Sequence, residues 1–248
     1  MNKSNINGDV GVQDLEILFE DNHIIAVNKK TGDIVQGDKT GDEPLSEKVK
    51  VYVKEKYNKP GDVFLGVIHR IDRPVSGVVL FARTSKSLER MNKLFRDKEI
   101  KKTYWAVVKN LPPQNEETLI RYLIKNEKMN KSFASMQPKA GALESSLTYT
   151  LLASSDTYHL LNIDPQTGRH HQIRVMLADI GCPIKGDLKY GFNRSNSDGS
   201  IHLHARAIQF THPVSGESIK ITAPAPISDP VWKYFNEVCG GVNAHIIR

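Results

Sequence analysis

An α+β fold, with helices laid against one antiparallel or mixed sheet, is the class this sequence predicts, and three features predict it. Short β-rich runs outnumber long helical stretches, neighbouring runs are joined by tight turns of the kind antiparallel strands use, and no Pro- or Ser-rich linker divides the 248 residues. The elements follow in chain order. "LEILFE" and "HIIAVNK", split by Asp21 and Asn22, predict an opening hairpin. "GVVLFAR" predicts a strand entering a helix from about Ser85 to Asp97, on which Leu88, Met91, Leu94 and Phe95 share one apolar face. The strand "TYWAVV" follows directly. "SLTYTLLAS" and "TYHLLNID" predict a second hairpin turning at Ser155 and Asp156, after which "PQTG" leads into a helix ending at Gly181. "IHLHARAIQF" and "SIKITAP", joined by "THPVSGE", predict a third hairpin. "SDPVWKYFNEV" predicts a closing helix capped by Ser228 or Asp229, with Pro230 in its first turn. Lys125 to Glu144 has no clean period and predicts an irregular insertion folded over a site; Asn193 to Ser200 predicts a polar loop. Residues 15–239 are therefore expected to form a single domain, between a flexible segment 1–14 and a tail 240–248.

Composition narrows the classes of function. With 39% hydrophobic and 25% charged residues the chain can bury a sizeable core. Its apolar runs are short and "MNKSNINGDVGVQDLE" is polar throughout, so neither a secretory leader nor a membrane span can be drawn and a cytoplasmic protein is expected. Cys182 and Cys239 stand far apart, without histidines at metal-ligand spacing, and read as reduced structural thiols. Charge is distributed unevenly. Between Arg83 and Lys109 nine basic residues face three acidic ones, a local excess equal to the +6 of the whole chain. A solvated helix face gives that pattern, and so does a surface for a polyanion, because each phosphate contact releases condensed counterions.

Two stretches point to chemistry. On a helical wheel anchored at Ile173, the residues Ile173, Met176, Leu177 and Ile180 form a buried stripe, with Arg169 inside that arc and His170 and Arg174 at its border. Inward-facing cations at the first turns of an apolar helix need an anionic partner, because an unpaired buried charge costs several kcal/mol. Asp72 in "HRIDRPVSG" is the internal candidate, on a constrained loop between two apolar runs. Burial raises an aspartate's pKa from about 3.9 by roughly 3 to 5 units, whereas an adjacent arginine lowers it by roughly 1 to 3. An arginine partner thus keeps the carboxylate ionised.

"HRIDRPVSG" resembles the His-Arg-Leu-Asp-x-x-Thr-Ser-Gly motif of RNA pseudouridine synthases of the RluA type, and three further stretches agree in order: "KKTYWAVV", "GRHHQIRV" with "GCPIKGDLKYG", and "LHARAIQFTHPVSG". The resemblance spans about residues 15 to 230. It implies a pseudouridine synthase fold, a mixed and largely antiparallel sheet with flanking helices around a central active-site cleft. It implies isomerisation of specific uridines in ribosomal or transfer RNA, with no cofactor and no metal. By the same resemblance Asp72 is the catalytic carboxylate, Tyr104 stacks on the target base and Arg174 pairs with Asp72. The reaction needs a base flipped out of its stack, and stacking on an aromatic recovers roughly 1 to 3 kcal/mol of that cost. Asp72 acts either as a nucleophile at the sugar or as a base that yields a glycal. His69, Arg70, Arg73, Arg169 and His170, with Lys93, Lys98, Lys101 and Lys102 of the basic strip, are the expected RNA contacts, a structural role being an equal expectation for His69.

His170 stands where the family usually has Thr, Met176 where His is common, and Ile71 and Val75 where Leu and Thr are usual. These departures bear on substrate choice. About 15 residues precede the first predicted strand, so a short form is expected, lacking the N-terminal RNA-binding module of many relatives and acting as a monomer. Two readings compete with it: a catalytically silent RNA-binding protein of the same fold, against which the intact Asp72, Tyr104 and Arg174 argue, and a metal-dependent hydrolase using His202 and His204 with His170 and His171, for which no companion acid stands at a typical spacing.

Overall fold

The computed structural model describes residues 15–239 and 246–247. Its elements are β1 (Ile17–Glu20), β2 (Ile24–Lys29), α1 (Leu45–Lys56), β3 (Gly66–Val67), β4 (Ser76–Ala82), α2 (Ser85–Arg96), β5 (Lys101–Val108), β6 (Glu116–Asn126), β7 (Lys131–Ser135), β8 (Leu143–Ser154), β9 (His159–Pro165), α3 (Gln172–Asp179), a 3-10 turn (Leu188–Tyr190), β10 (Leu203–Thr211), β11 (Ser218–Thr222), α4 (Pro230–Val238) and β12 (Ile246–Ile247). The strands join in the order β1-β2-β4-β10-β5-β9-β8-β6-β7, with β3 beside β4 and β11 beside β10. Along this path only β4 and β10 run parallel. The architecture is the expected α+β one, a mixed and mostly antiparallel sheet with four helices.

The parallel seam between β4 and β10 organises the molecule. Gly77 sits there with φ +116°, and a Cβ on it would lie 2.3 Å from the carbonyl oxygen of Ala205. Only glycine lets the two backbones approach so closely, which accounts for the glycine that ends "HRIDRPVSG". β4 is buried on both faces. Val78, Leu80 and Ala82 pack towards α2, while Val79 and Phe81 pack against Leu45, Val49 and Val53 of α1. An unbroken apolar run such as "GVVLFA" is what burial on two faces demands. β5 alternates instead: Ala106 and Val108 join the core beneath α3, and Trp105 and Val107 meet Trp232 and Phe235 of α4.

Several expectations are corrected. The helix after "PQTG" begins only at Gln172, because His171 adopts a left-handed conformation (φ 54°) and the Gln172 side chain folds back to accept the Arg169 N–H at 3.0 Å. Arg169 therefore precedes the helix and is exposed rather than lying in its buried arc. The stretch Lys125 to Glu144 is no irregular insertion. It contains β7, paired with β6 through Ile124 opposite Phe133, and β6 itself is an 11-residue strand. Helix α1 was absent from the elements read in sequence, since alternating Val49, Val51 and Val53 mimic a strand. Helix α4 takes Asp229, not Ser228, as its cap; the carboxylate accepts from the N–H of Val231 and Trp232. The predicted segment 1–14 and residues 240–245 lie outside the described residues, and Ile246–Ile247 of the expected tail pairs with β11.

Candidate active site

Three segments meet around a cavity of about 320 Å³: the loop before β4, strand β5 and the start of α3. The loop is bolted from behind. Lys29 is 1% exposed and donates to the carbonyls of Lys30, Asp33 and Arg73 at 2.9, 2.8 and 3.1 Å. Burial pulls its ammonium down to about 8, partly offset by the charges of Asp33 and Asp72. Gly32 N–H also donates to the Arg73 carbonyl, and Ile201 N–H to that of Pro74. His69 stacks on Phe95, and its Nε2 accepts the Leu80 N–H at 3.1 Å. Burial, aided by Lys102, lowers this histidine to about 3. His69 lines the cavity with its Nε2 engaged by the Leu80 N–H, the structural of the two roles the sequence left open for it.

Asp72 is thereby presented at the cavity with its side chain 32% exposed. Its Oδ2 accepts from Nη1 of Arg174 at 2.9 Å, and Nε2 of His171 lies 3.4 Å away. Arg174 in turn donates Nε and Nη2 to the two oxygens of Asp187, at 2.6 and 2.9 Å. Both are buried, and the guanidinium lies over the Tyr190 ring, 5.1 Å from its centroid. Burial alone would loosen the Arg174 proton; Asp187 first, then Asp72, outweigh it and keep the group cationic. Tyr104 lines the same cavity, held in register opposite Ala205 of β10 and Ile163 of β9. Burial, reinforced by the charge of Asp72, raises its phenol above the usual value.

Of the expected RNA contacts, Arg70, Lys102 and Arg169 line this cavity. A second depression, of about 700 Å³, continues from it past Phe95, Thr167 and Gly168 and is lined by Arg96, Lys98, Lys101, Lys102 and Arg169. Arg73 is turned away, donating to the Gly32 carbonyl at 3.1 Å and pairing with Asp42. Lys93 pairs with Asp97 at 2.6 Å, lining neither depression. His170 is occupied too: its ring stacks on His171 and reaches Ser132 Oγ at 2.9 Å and Asn130 Oδ1 at 3.1 Å. The basic strip is consequently no continuous track. Arg83 is half-buried on Glu20 at 3.2 Å, and of the strip only the cations around the turn from α2 to β5 line the groove, facing Arg169.

His202 and His204 of the hydrolase reading are structural. His202 holds Asp229 at 3.0 Å and accepts from Asn196, while His204 bonds Ser76 and the Ala223 carbonyl. Both rings have both nitrogens engaged, leaving no lone pair for a cation. Among the described residues no group of three His, Cys, Asp or Glu side chains is placed to hold a metal, and no helix is long and apolar enough to cross a membrane.

Residues 23–179, which include Asp72, Tyr104 and Arg174, match the family model described as RNA pseudouridylate synthase. The chain belongs to that family. Its members are isomerases that act on RNA. This synthase is 36% identical over 221 residues to the ribosomal large subunit pseudouridine synthase C of Buchnera aphidicola from Acyrthosiphon pisum, covering 85% of this chain and 67% of that one. It is 30% identical over 243 residues to the tRNA pseudouridine synthase C of Haemophilus ducreyi, covering 90% and 96%. In fold it is similar to human RNA pseudouridylate synthase domain containing 4, with TM-score 0.73, 22% identity and coverage of 90% and 92%.

Sequence reasoning missed three residues of the synthase's site: His171, Asp187 and Tyr190. Asp187 carried a readable signal, an acid inside "PIKGDL" next to an apolar helix that needed a counter-charge. Asp72 meets the same need from a longer sequence distance, and the structure shows that Arg174 takes both acids. His171 stood out only as a possible metal ligand and Tyr190 gave no signal, since their meeting depends on a left-handed residue and a 3-10 turn from separate segments.

Proposed function

We propose that the enzyme converts uridine in ribosomal or transfer RNA to pseudouridine in the cytoplasm, through Asp72 and without a cofactor, on a base flipped into the cavity. The observation that carries this reading is the Asp72 carboxylate at the cavity, 2.9 Å from Arg174, with Tyr104 lining the same space. A volume of about 320 Å³ is at the small end for ligand pockets and suits one nucleoside, not a duplex, so the target must leave its stack. Tyr104 offers a ring to stack on. Asp72 reacts at the sugar as nucleophile or base, and Arg174 favours its ionised form. The isomerisation breaks the bond from C1′ to N1, forms one from C1′ to C5 and moves the C5 proton. Atoms and electrons balance within the RNA, so the stoichiometry calls for no oxidant, reductant or group donor. Arg70, Lys102 and Arg169 contact phosphates beside the flipped nucleotide, and Lys98 and Lys101 contact the strand leaving along the groove. The RNA class is supported by the two relatives, one named as a ribosomal and one as a tRNA enzyme.

The test is pseudouridine mapping in total RNA from cells with the gene, without it, and with Asp72→Asn. Purified Asp72→Asn should fold, bind RNA and give no pseudouridine. Conversion by that variant at a rate near wild type would remove Asp72 from the mechanism.

A further inference from the structure

Asp72 has a second neighbour besides Arg174, and the chemistry of that neighbour is fixed from outside the cavity. His171 Nε2 lies 3.4 Å from Asp72 Oδ2. Its Nδ1 lies 2.9 Å from the hydroxyl of Tyr190, and that hydroxyl accepts the backbone N–H of Ser132 at 2.9 Å. With Ser132 donating to the oxygen, the Tyr190 proton is free to go to His171 Nδ1. The opposite tautomer would turn a bare Nε2 lone pair towards a carboxylate and leave the Tyr190 proton without this acceptor. Both ends of the imidazole therefore select the form protonated on Nε2.

We propose that His171 is a positioning residue for Asp72: a neutral imidazole, held as the Nε2–H tautomer by Tyr190, that gives the carboxylate a second hydrogen-bond donor beside Arg174. This inference rests on the reading of Asp72 as the reacting group. Three further features agree with it. The ring is locked between His170, with centroids 3.7 Å apart, and the edge of Tyr190 at 5.6 Å. His171 keeps a left-handed backbone that a histidine adopts only at a cost, as residues at functional sites do. Burial and the charge of Arg174 pull its imidazole down to about 2, so it stays neutral across the working range of pH.

One turn thus serves both partners of Asp72. In "GDLKYG", Asp187 clamps Arg174 through two hydrogen bonds, while Tyr190 lies under the same guanidinium and directs His171. Two donors converge on one oxygen, Oδ2, at 2.9 and 3.4 Å.

Tyr190→Phe in the full chain is the sharpest test, since it keeps the ring under Arg174 and removes only the hydroxyl. With an RNA substrate, kcat should fall between about tenfold and a hundredfold with KM unchanged, because misplacement of the reacting group is at stake and not binding. In wild type the imidazole nitrogen shifts of His171 should show Nε2 protonated, and in Tyr190→Phe that signature should move. The pair His171→Gln and His171→Leu reads the same donor without touching Tyr190. Gln, which can place an N–H near Nε2, should retain more kcat than Leu, although both meet the same left-handed backbone. A wild-type kcat in Tyr190→Phe, equal losses in the Gln and Leu variants, or an Nδ1-protonated His171 would each overturn the proposal. Active Asp72→Asn would instead sink the parent reading, and the tautomer measurement would still decide the state of His171.

Discussion

Arg174 and Lys98 are both cations near the cavity, and the protein treats them in opposite ways. Arg174 is buried, bidentate on Asp187, singly bonded to Asp72 and braced by an aromatic face. Lys98 ends α2 in a left-handed conformation (φ 60°), a position where glycine is the usual choice, and lines an open groove. In the dry pocket the value of a charge is set by geometry, because every polar atom left without a partner costs several kcal/mol. At the groove a charge acts through its field and counterion release, and loose geometry suffices. One region holds a carboxylate in place; the other presents a row of exposed cations, which under the proposed function meets a chain of phosphates.

The largest effect that can break this contrast is on stability. Arg174→Ala leaves Asp187, only 1% exposed, without its counter-charge and should cost about 3–5 kcal/mol in a denaturant titration. Replacing both members, as Arg174→Met with Asp187→Leu, should restore most of that loss while conversion stays abolished. If Arg174→Ala unfolds at the wild-type midpoint, the pair is not the buried anchor described here.

Smaller, and spread over the fold, is the response to acid. Burial is the main cause that lowers His69 to about 3, His171 to about 2 and His204 to about 3. An unfolded chain takes up these protons near pH 6.5 and the folded one resists, so the unfolded state binds more protons throughout the interval between the two values. Stability is therefore fully present above about pH 6.5 and falls as pH drops below it, by at most about 1.4 kcal/mol per pH unit for each such group. Melting temperatures from pH 8 to pH 5 check the sign. Either His69→Gln or His204→Gln should flatten the acid limb; a limb unchanged in both variants would remove these imidazoles as its cause.

The smallest effect separates groove from surface. Lys98→Gly should raise stability by about 1 kcal/mol, since glycine relieves the left-handed strain. It should also reduce the dependence of log affinity for RNA on log salt by about 0.7, the value of one phosphate contact on a single strand. Lys93→Ala should leave that slope unaltered, because Lys93 is engaged by Asp97 away from the groove. Equal slopes for both variants would show that the groove has no privileged role and that the basic strip acts as one undivided field.

What was legible in the chain follows from locality. The hairpins, the amphipathic face of α2 and the cap of α4 rest on period, turn chemistry and contacts a few residues apart, and all three stand in the structure. The pairing of Asp72 with Arg174, 102 residues apart, was legible only because an inward-facing cation demands an anion and the motifs narrowed the choice. Alternating valines hid α1, and "PQTG" suggested an early helix start, because periodicity does not report the backbone state of His171.

By itself, then, the sequence determined the fold class and the cationic bias and singled out Asp72, Tyr104 and Arg174, which the structure brings to one cavity, since each is carried by local pattern or by a motif. Only the tertiary structure decided which positive charges face the cavity, that Asp187 shares Arg174, and that Tyr190 reaches His171. The physical reason is that hydrogen bonds and buried charges act over about 3 Å and depend on direction. Their partners come from segments brought together by the seam between β4 and β10, where the approach of two backbones is set by a glycine and not by any spacing along the chain.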